Sequence, residues 1–226
     1  MKKAFLIATV SIAFFSCNKP TDYKALYQQA KVSDDGATAR VALNGLIAQG
    51  ENVYADTLAA LYLSANMPQQ CLNNVLPLLE KEETNKRLEL AAYSYKGLGD
   101  AVTALDYFQK CISKGVKKDH LYEVAYLQFR LKRQSELEQT LAVFAQQPAD
   151  TLNTEVYLDA GDLSQIVPVE VGMQHLKALL FVDRKQNEQA VAIYAALVEK
   201  YPNFKLAQQN LKALQALPVG EKIEKG

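Results

Sequence analysis

Apolar residues recur at helical spacing along most of the chain, in pairs of short stripes separated by polar or glycine-bearing turns. The clearest pair spans Arg87 to Lys114. Leu88, Ala91, Ala92 and Tyr95 form one apolar face. Gly97-Leu98-Gly99-Asp100 then breaks the pattern, with Gly99 suited to a helix C-terminal cap and Asp100 to an N-cap. Ala104, Leu105, Phe108, Cys111 and Ile112 make the second face. Two short amphipathic helices with a tight turn predict an antiparallel hairpin.

The hairpin repeats. Ala59, Tyr62, Cys71 and Val75 match Ala92, Tyr95, Ala104 and Phe108 after a shift of 33 residues, and Phe129 follows Tyr95 after 34. Further on, Ala178, Phe181, Ala190 and Tyr194 repeat the same order and spacing, ahead of Tyr201-Pro202-Asn203. This pattern resembles the tetratricopeptide repeat, whose period is about 34 residues. Gly99-Asp100, Ala104, Phe108 and the run from Ala190 through Tyr194 and Leu197 to Pro202 carry the resemblance. It implies an all-α, right-handed α-solenoid of antiparallel helix hairpins. Small residues at Ala92 and Ala104 would let two helices approach, with aromatics filling the space beside them.

Four hairpins are expected, at about 53–82, 85–115, 119–147 and 169–201. The first is degenerate, with Pro68 opening its second helix. In the third, Leu137, Leu141 and Phe144 take the packing slots, and Ser135-x-x-Glu138 reads as a capping box. A weaker pair over 21–50 (Asp22 to Val32, Ala37 to Ile47) precedes them. A helix over 203–217 covers the last hairpin, as a solenoid end requires. A flexible tail is expected over 218–226.

Residues 149–167 interrupt the period. Thr154 to Leu158 is strand-like, Asp159-Ala160-Gly161-Asp162 turn-like, and Gln165-Ile166-Val167 suits a return strand. A small β-hairpin near 153–167 is therefore expected, packed on the helices because an isolated two-stranded hairpin is marginal in water. Asp159 and Asp162 read as turn residues, since the loop pattern of a calcium site is missing.

The N-terminus differs from the rest. Met1-Lys2-Lys3 precedes an apolar run from Ala4 to Phe15, the layout of a secretory signal and too short for a bilayer span of roughly 20 residues. A cleaved signal over 1–16 competes with a retained anchor helix, and length favours cleavage. Phe14-Phe15-Ser16-Cys17 resembles a bacterial lipobox, which implies lipid attachment at Cys17; Phe14 stands where leucine is usual. The other reading is a chance cysteine behind a signal. Acyl chains on Cys17 would hold the protein at a membrane, at about 0.8 kcal/mol per buried methylene. Asn18, in place of aspartate, leans towards the outer membrane facing the periplasm.

Lys plus Arg and Asp plus Glu are 25 each, without a basic stripe, so nucleic acid is not implied. Cys71 and Cys111 could pair, but each fills a small-residue slot in a different hairpin, and free buried thiols are the favoured reading. His120 and His175 lie in different hairpins and read as exposed helix residues rather than ligands. Nucleotide-binding, hydrolase and metal signatures are missing. No catalysis, cofactor or metal is expected.

In the family that the sequence resembles, the first helix of each hairpin lines a concave groove. Asp56, Glu89 and Glu123 then form an acidic row, Ala60, Tyr93 and Leu127 a partly apolar floor, and Leu63, Lys96 and Arg130 an edge with two cations. Such a groove would take a peptide or helix of an envelope protein partner, with tyrosine and arginine as anchors. The competing reading is a solvated face on which Glu and Lys pair between neighbours. Glu89 and Tyr93 stand where the family's carboxylate clamp uses Lys and Asn, so chaperone C-termini are not expected partners. The function implied is a lipid-anchored interaction scaffold of the cell envelope. The alternative is a solute-binding or enzymatic lipoprotein with a pocket at 149–167.

Overall fold

A computed structural model describes residues 21–149, 152–159 and 163–217. The signal segment, Cys17, the hairpin tip 160–162 and the tail 218–226 lie outside the described residues. The chain divides into two compact units, Met1–Asn52 and Val53–Gly226.

In the first unit, α1 (Tyr23–Val32) and α2 (Gly36–Ala48) form an antiparallel pair. Asp22 and Asp35 cap them, accepting from the amides of Ala25 and Thr38 at 3.0 Å each. The Tyr23 ring lies flat on Gly45: a β-carbon there would sit 2.4 Å from the ring. Glycine thus sets how closely these two helices approach.

The second unit holds four hairpins and a closing helix. They are α3 (Ala55–Ser64) with α4 (Pro68–Lys81), α5 (Asn85–Gly97) with α6 (Ala101–Lys114), α7 (Lys118–Arg130) with α8 (Gln134–Ala145), α9 (Val169–Asp183) with α10 (Asn187–Lys200), and α11 (Lys205–Gln215). Each first helix ends in the same left-handed cap. Asn66, Gly99, Lys132 and Lys185 have φ of 56°, 81°, 58° and 58°. The next amide in each case reaches back across the turn, from Met67 to Tyr62, Asp100 to Tyr95, Arg133 to Gln128 and Gln186 to Phe181. Gly99 and Asn66 are residue types that favour this turn; Lys132 and Lys185 are not. The capping box expected at Ser135-x-x-Glu138 does not form: Arg133, two residues earlier, is the N-cap, and Glu138 pairs instead with Arg184.

The small-residue slots are sealed. Ala59, Cys71, Ala92, Ala104, Ala178 and Ala190 are fully buried, as are Val75, Phe108 and Tyr194 one turn further along the second helices. Cys71 and Cys111 are free and buried, and burial pushes the Cys111 thiol up to about 12, leaving it neutral and unreactive.

The period breaks at an antiparallel pair, β1 (Glu155–Asp159) and β2 (Ser164–Pro168). Val156, Leu158 and Val167 point inward, while Tyr157 and Ile166, paired across the strands, face out. Gln165 joins the pair to the closing helix: its side chain accepts from the Leu206 amide at 3.0 Å and donates to the Asn203 carbonyl at 3.0 Å. Because Phe204 offers no capping side chain, a strand residue caps α11.

Gly172 of α9 lets the strands and α7 close in. A β-carbon there would lie 2.5 Å from Val156 Cγ2 and 2.9 Å from Tyr122 Cε2. Alanine normally gains about 1 kcal/mol over glycine inside a helix. Overlap with two neighbours outweighs this, so Gly172→Ala should cost about 1–2 kcal/mol net. Hydrogen exchange should show faster exchange at β1 and β2; a stabilised variant would contradict this packing.

Candidate partner-binding face

The first helices α3, α5, α7 and α9 are joined in series by charge, and the residues expected to line a groove are largely the ones that join them. Asp56 receives both ends of the Arg87 guanidinium, at 2.8 and 3.0 Å, and this pairing holds its carboxyl below the usual range. Arg87 also donates to the carbonyls of Leu78 and Glu82, closing the end of α4. Glu89 lies 2.6 Å from Lys117 Nζ and 2.7 Å from His120 Nε2. Lys96 Nζ donates to Glu123 at 2.5 Å, and Lys118 to Glu170 at 2.6 Å. Each residue of the acidic row is thus paired across repeats, Asp56 with Arg87, Glu89 with Lys117 and His120, and Glu123 with Lys96 of the cationic edge. Arg130 is exposed and donates to the Tyr126 hydroxyl at 2.9 Å.

Glu123 is the deepest of these carboxylates, 8% exposed. Burial raises its pKa, with Lys96 opposing the shift. Lys96 also sits between two rings, 5.8 Å from the centre of Tyr93 and 5.3 Å from that of Tyr126.

Two expectations need correction. Leu127, placed on the groove floor, is only 2% exposed and packs with Ala92, Leu105 and Phe108, so it offers a partner nothing. The histidines, expected at the surface, are both buried. His120 reaches Glu89 from the core, and His175 lies 3.2 Å from the Tyr194 hydroxyl through Nδ1. Their helices present them to the core face because each continues the apolar stripe of its helix: Leu121 and Val124 flank one, Leu176 and Ala178 the other.

What stays open is a depression of about 360 Å³ where the end of α3, the turn into α4 and the end of α5 meet. Leu63, Asn66, Pro68, Tyr93, Lys96 and Gly97 line it. Tyr93 is half-buried, its ring edge-on to Phe108 at 4.9 Å, and burial together with the Glu123 carboxylate raises its phenol pKa. The hydroxyl therefore stays protonated and can donate. Sequence reasoning missed the partners Arg87, Lys117 and His120. A signal was present: the joined residues are 27 to 31 positions apart, slightly under one period.

No protein-family model and no curated protein matches the sequence. Solved structures do. A tetratricopeptide repeat protein from Parabacteroides merdae superposes with a TM-score of 0.65 at 16% identity, over 85% of this chain and 72% of that one. The chain has the tetratricopeptide-repeat fold. YrrB, described as a tetratricopeptide-repeat protein with an unusual peptide-binding site, gives a TM-score of 0.57 at 16% identity, over 77% of this chain and 82% of that one. PilF of Pseudomonas aeruginosa gives 0.58 at 14% identity, over 84% and 80%. On this fold Asp56, Glu89, Lys96 and Glu123 tie repeats together, and Leu63 and Tyr93 remain for contact.

Proposed function

We propose that the protein is a lipid-anchored interaction scaffold of the bacterial cell envelope, held through Cys17 at the outer membrane and facing the periplasm. It binds an extended peptide or helix of an envelope protein across α3 and α5. The observation that carries this reading is the depression at Leu63, Pro68, Tyr93 and Lys96. It combines an aromatic side chain and a cation at a repeat junction, the residue types that anchor interfaces. Because Asp56, Glu89 and Glu123 are already paired, recognition there rests on shape, the Tyr93 hydroxyl and apolar contact rather than on free carboxylates. The peptide-binding site named for YrrB adds support from a protein of the same fold. The anchor rests on the N-terminal sequence alone.

A photo-crosslinking residue at Tyr93, compared in intact cells with one at the exposed Lys110 of α6, tests the face. A discrete protein adduct from position 93 and not from 110 is expected. Equal adducts at both, or none, would remove the groove. Labelled palmitate entering the wild type but not Cys17→Ser is the expected result for the anchor.

A further inference from the structure

The third hairpin is packed unlike the others. On the second helices Val75, Phe108 and Tyr194 are fully buried, yet Leu141, which holds the same place in α8, is only half-buried. The reason lies in the next helix. While α4 packs along α5 and α6 along α7, α8 touches α9 at few points. The strand pair does not fill the space, because it packs on α9 where Gly172 meets Val156 and Tyr122. A cleft of about 580 Å³ is left between α8 and α9, within the size range of small-molecule sites. It adjoins the insertion but is lined by α7, α8 and α9.

Its apolar lining is Leu141, Phe144 and Ala142 on one side and Phe181 on the other, above the buried Met173 and Leu180, with Gln147 and Gln174 at the margin. Both ends are closed by charge. Glu138 pairs with Arg184 at one, and Lys118 with Glu170 at the other, the Lys118 ammonium 4.9 Å above the Phe144 ring. The carboxylates of the lining are thereby neutralised. Lys177 also lines the cleft, one helical turn from Met173 and from Phe181, and among the described residues it makes no ion pair. From Glu138 to Ala145 the α8 wall is about 10 Å long at 1.5 Å per residue, and Gln147 extends the lining just past the helix end. A partner helix crossing it would have to break the closing pairs. A short flexible chain would not.

We propose that this cleft binds a medium-chain aliphatic carboxylate, with its chain along Leu141, Phe144 and Phe181 over the floor at Met173, and its carboxylate on the Lys177 ammonium. The site is separate from the face of α3 and α5 and stands or falls without it. Burial of methylenes on the apolar walls supplies affinity, and the one unpaired cation of the lining supplies orientation.

Titration calorimetry with dodecanoate tests this, using the full chain with Cys17→Ser so that no acyl chain of its own competes. One saturable site per chain is expected. Lys177→Gln should weaken dodecanoate about tenfold or more and leave dodecan-1-ol unchanged. Ala142→Phe, at an exposed position of the lining, should abolish both while the thermal midpoint stays within the wild-type range. Absence of saturable uptake would overturn the proposal and leave the cleft to side chains of a partner. Uptake that neither variant alters would overturn it equally, since the ligand would then be elsewhere.

Discussion

Replacing Lys96 with methionine should lower stability by about 3 kcal/mol at pH 7 and by much less near pH 4. Methionine keeps most of the stem that packs beside Tyr93 and Tyr126 and removes only the ammonium. Glu123, 8% exposed, then loses the cation 2.5 Å away that offsets its burial. A buried carboxylate without a partner is disfavoured as the anion, so its folded pKa, already raised by burial, rises further. A carboxylate whose folded pKa lies above the unfolded value of about 4.3 contributes full stability below that value and loses it as pH rises through the folded pKa. The deficit of Lys96→Met therefore grows from pH 4 towards neutrality. Urea unfolding followed by circular dichroism at both pH values checks this, and Lys96→Met with Glu123→Leu should recover most of the loss. An equal deficit at both pH values would place the cause in packing rather than in the charge.

The second large effect is acid sensitivity centred on His175. Burial against Tyr194 and Phe204 lowers its pKa to about 4. The unfolded chain takes up the proton below about 6.5, whereas the folded protein resists until about 4. Stability from this residue is thus complete above pH 6.5 and is lost as pH falls to 4, a change of about 3 kcal/mol. His175→Gln, which can still meet the Tyr194 hydroxyl, should flatten that part of the stability–pH curve. A curve as steep in the variant as in the wild type would assign the acid sensitivity to other groups.

Helix hairpins were legible because Ala92, Ala104 and Phe108 recur at fixed offsets, and so was the strand pair, where alternating Val156, Tyr157 and Leu158 replaced the helical period. The left-handed caps have a residue-type signal at Gly99 and Asn66. Lys132 and Lys185 adopt the same φ under the hold of the backbone bonds around them, which their residue type does not announce. Charges at one face were readable, but their pairing was not: Asp56 and Arg87 meet because successive first helices stand side by side, a fact of stacking rather than of either helix alone. The histidines misled because a polar side chain on an apolar stripe can point inward if one nitrogen finds Glu89 or Tyr194. Leu127 misled in the opposite way: its spacing placed it on the groove face, while the packing of Ala92 and Phe108 drew it inside.

Stacked repeats fold as a line of nearest-neighbour couplings, and a line is only as cooperative as its weakest link. Between the third and fourth hairpins α8 meets α9 at few points, and the link runs through α7 on α9. The strand pair reinforces that link: Val156 meets α9 beside Tyr122 of α7, and Gln165 caps α11. The insertion is therefore a splint across the seam, carrying unfolding cooperativity from the third repeat past the fourth to the end of the array.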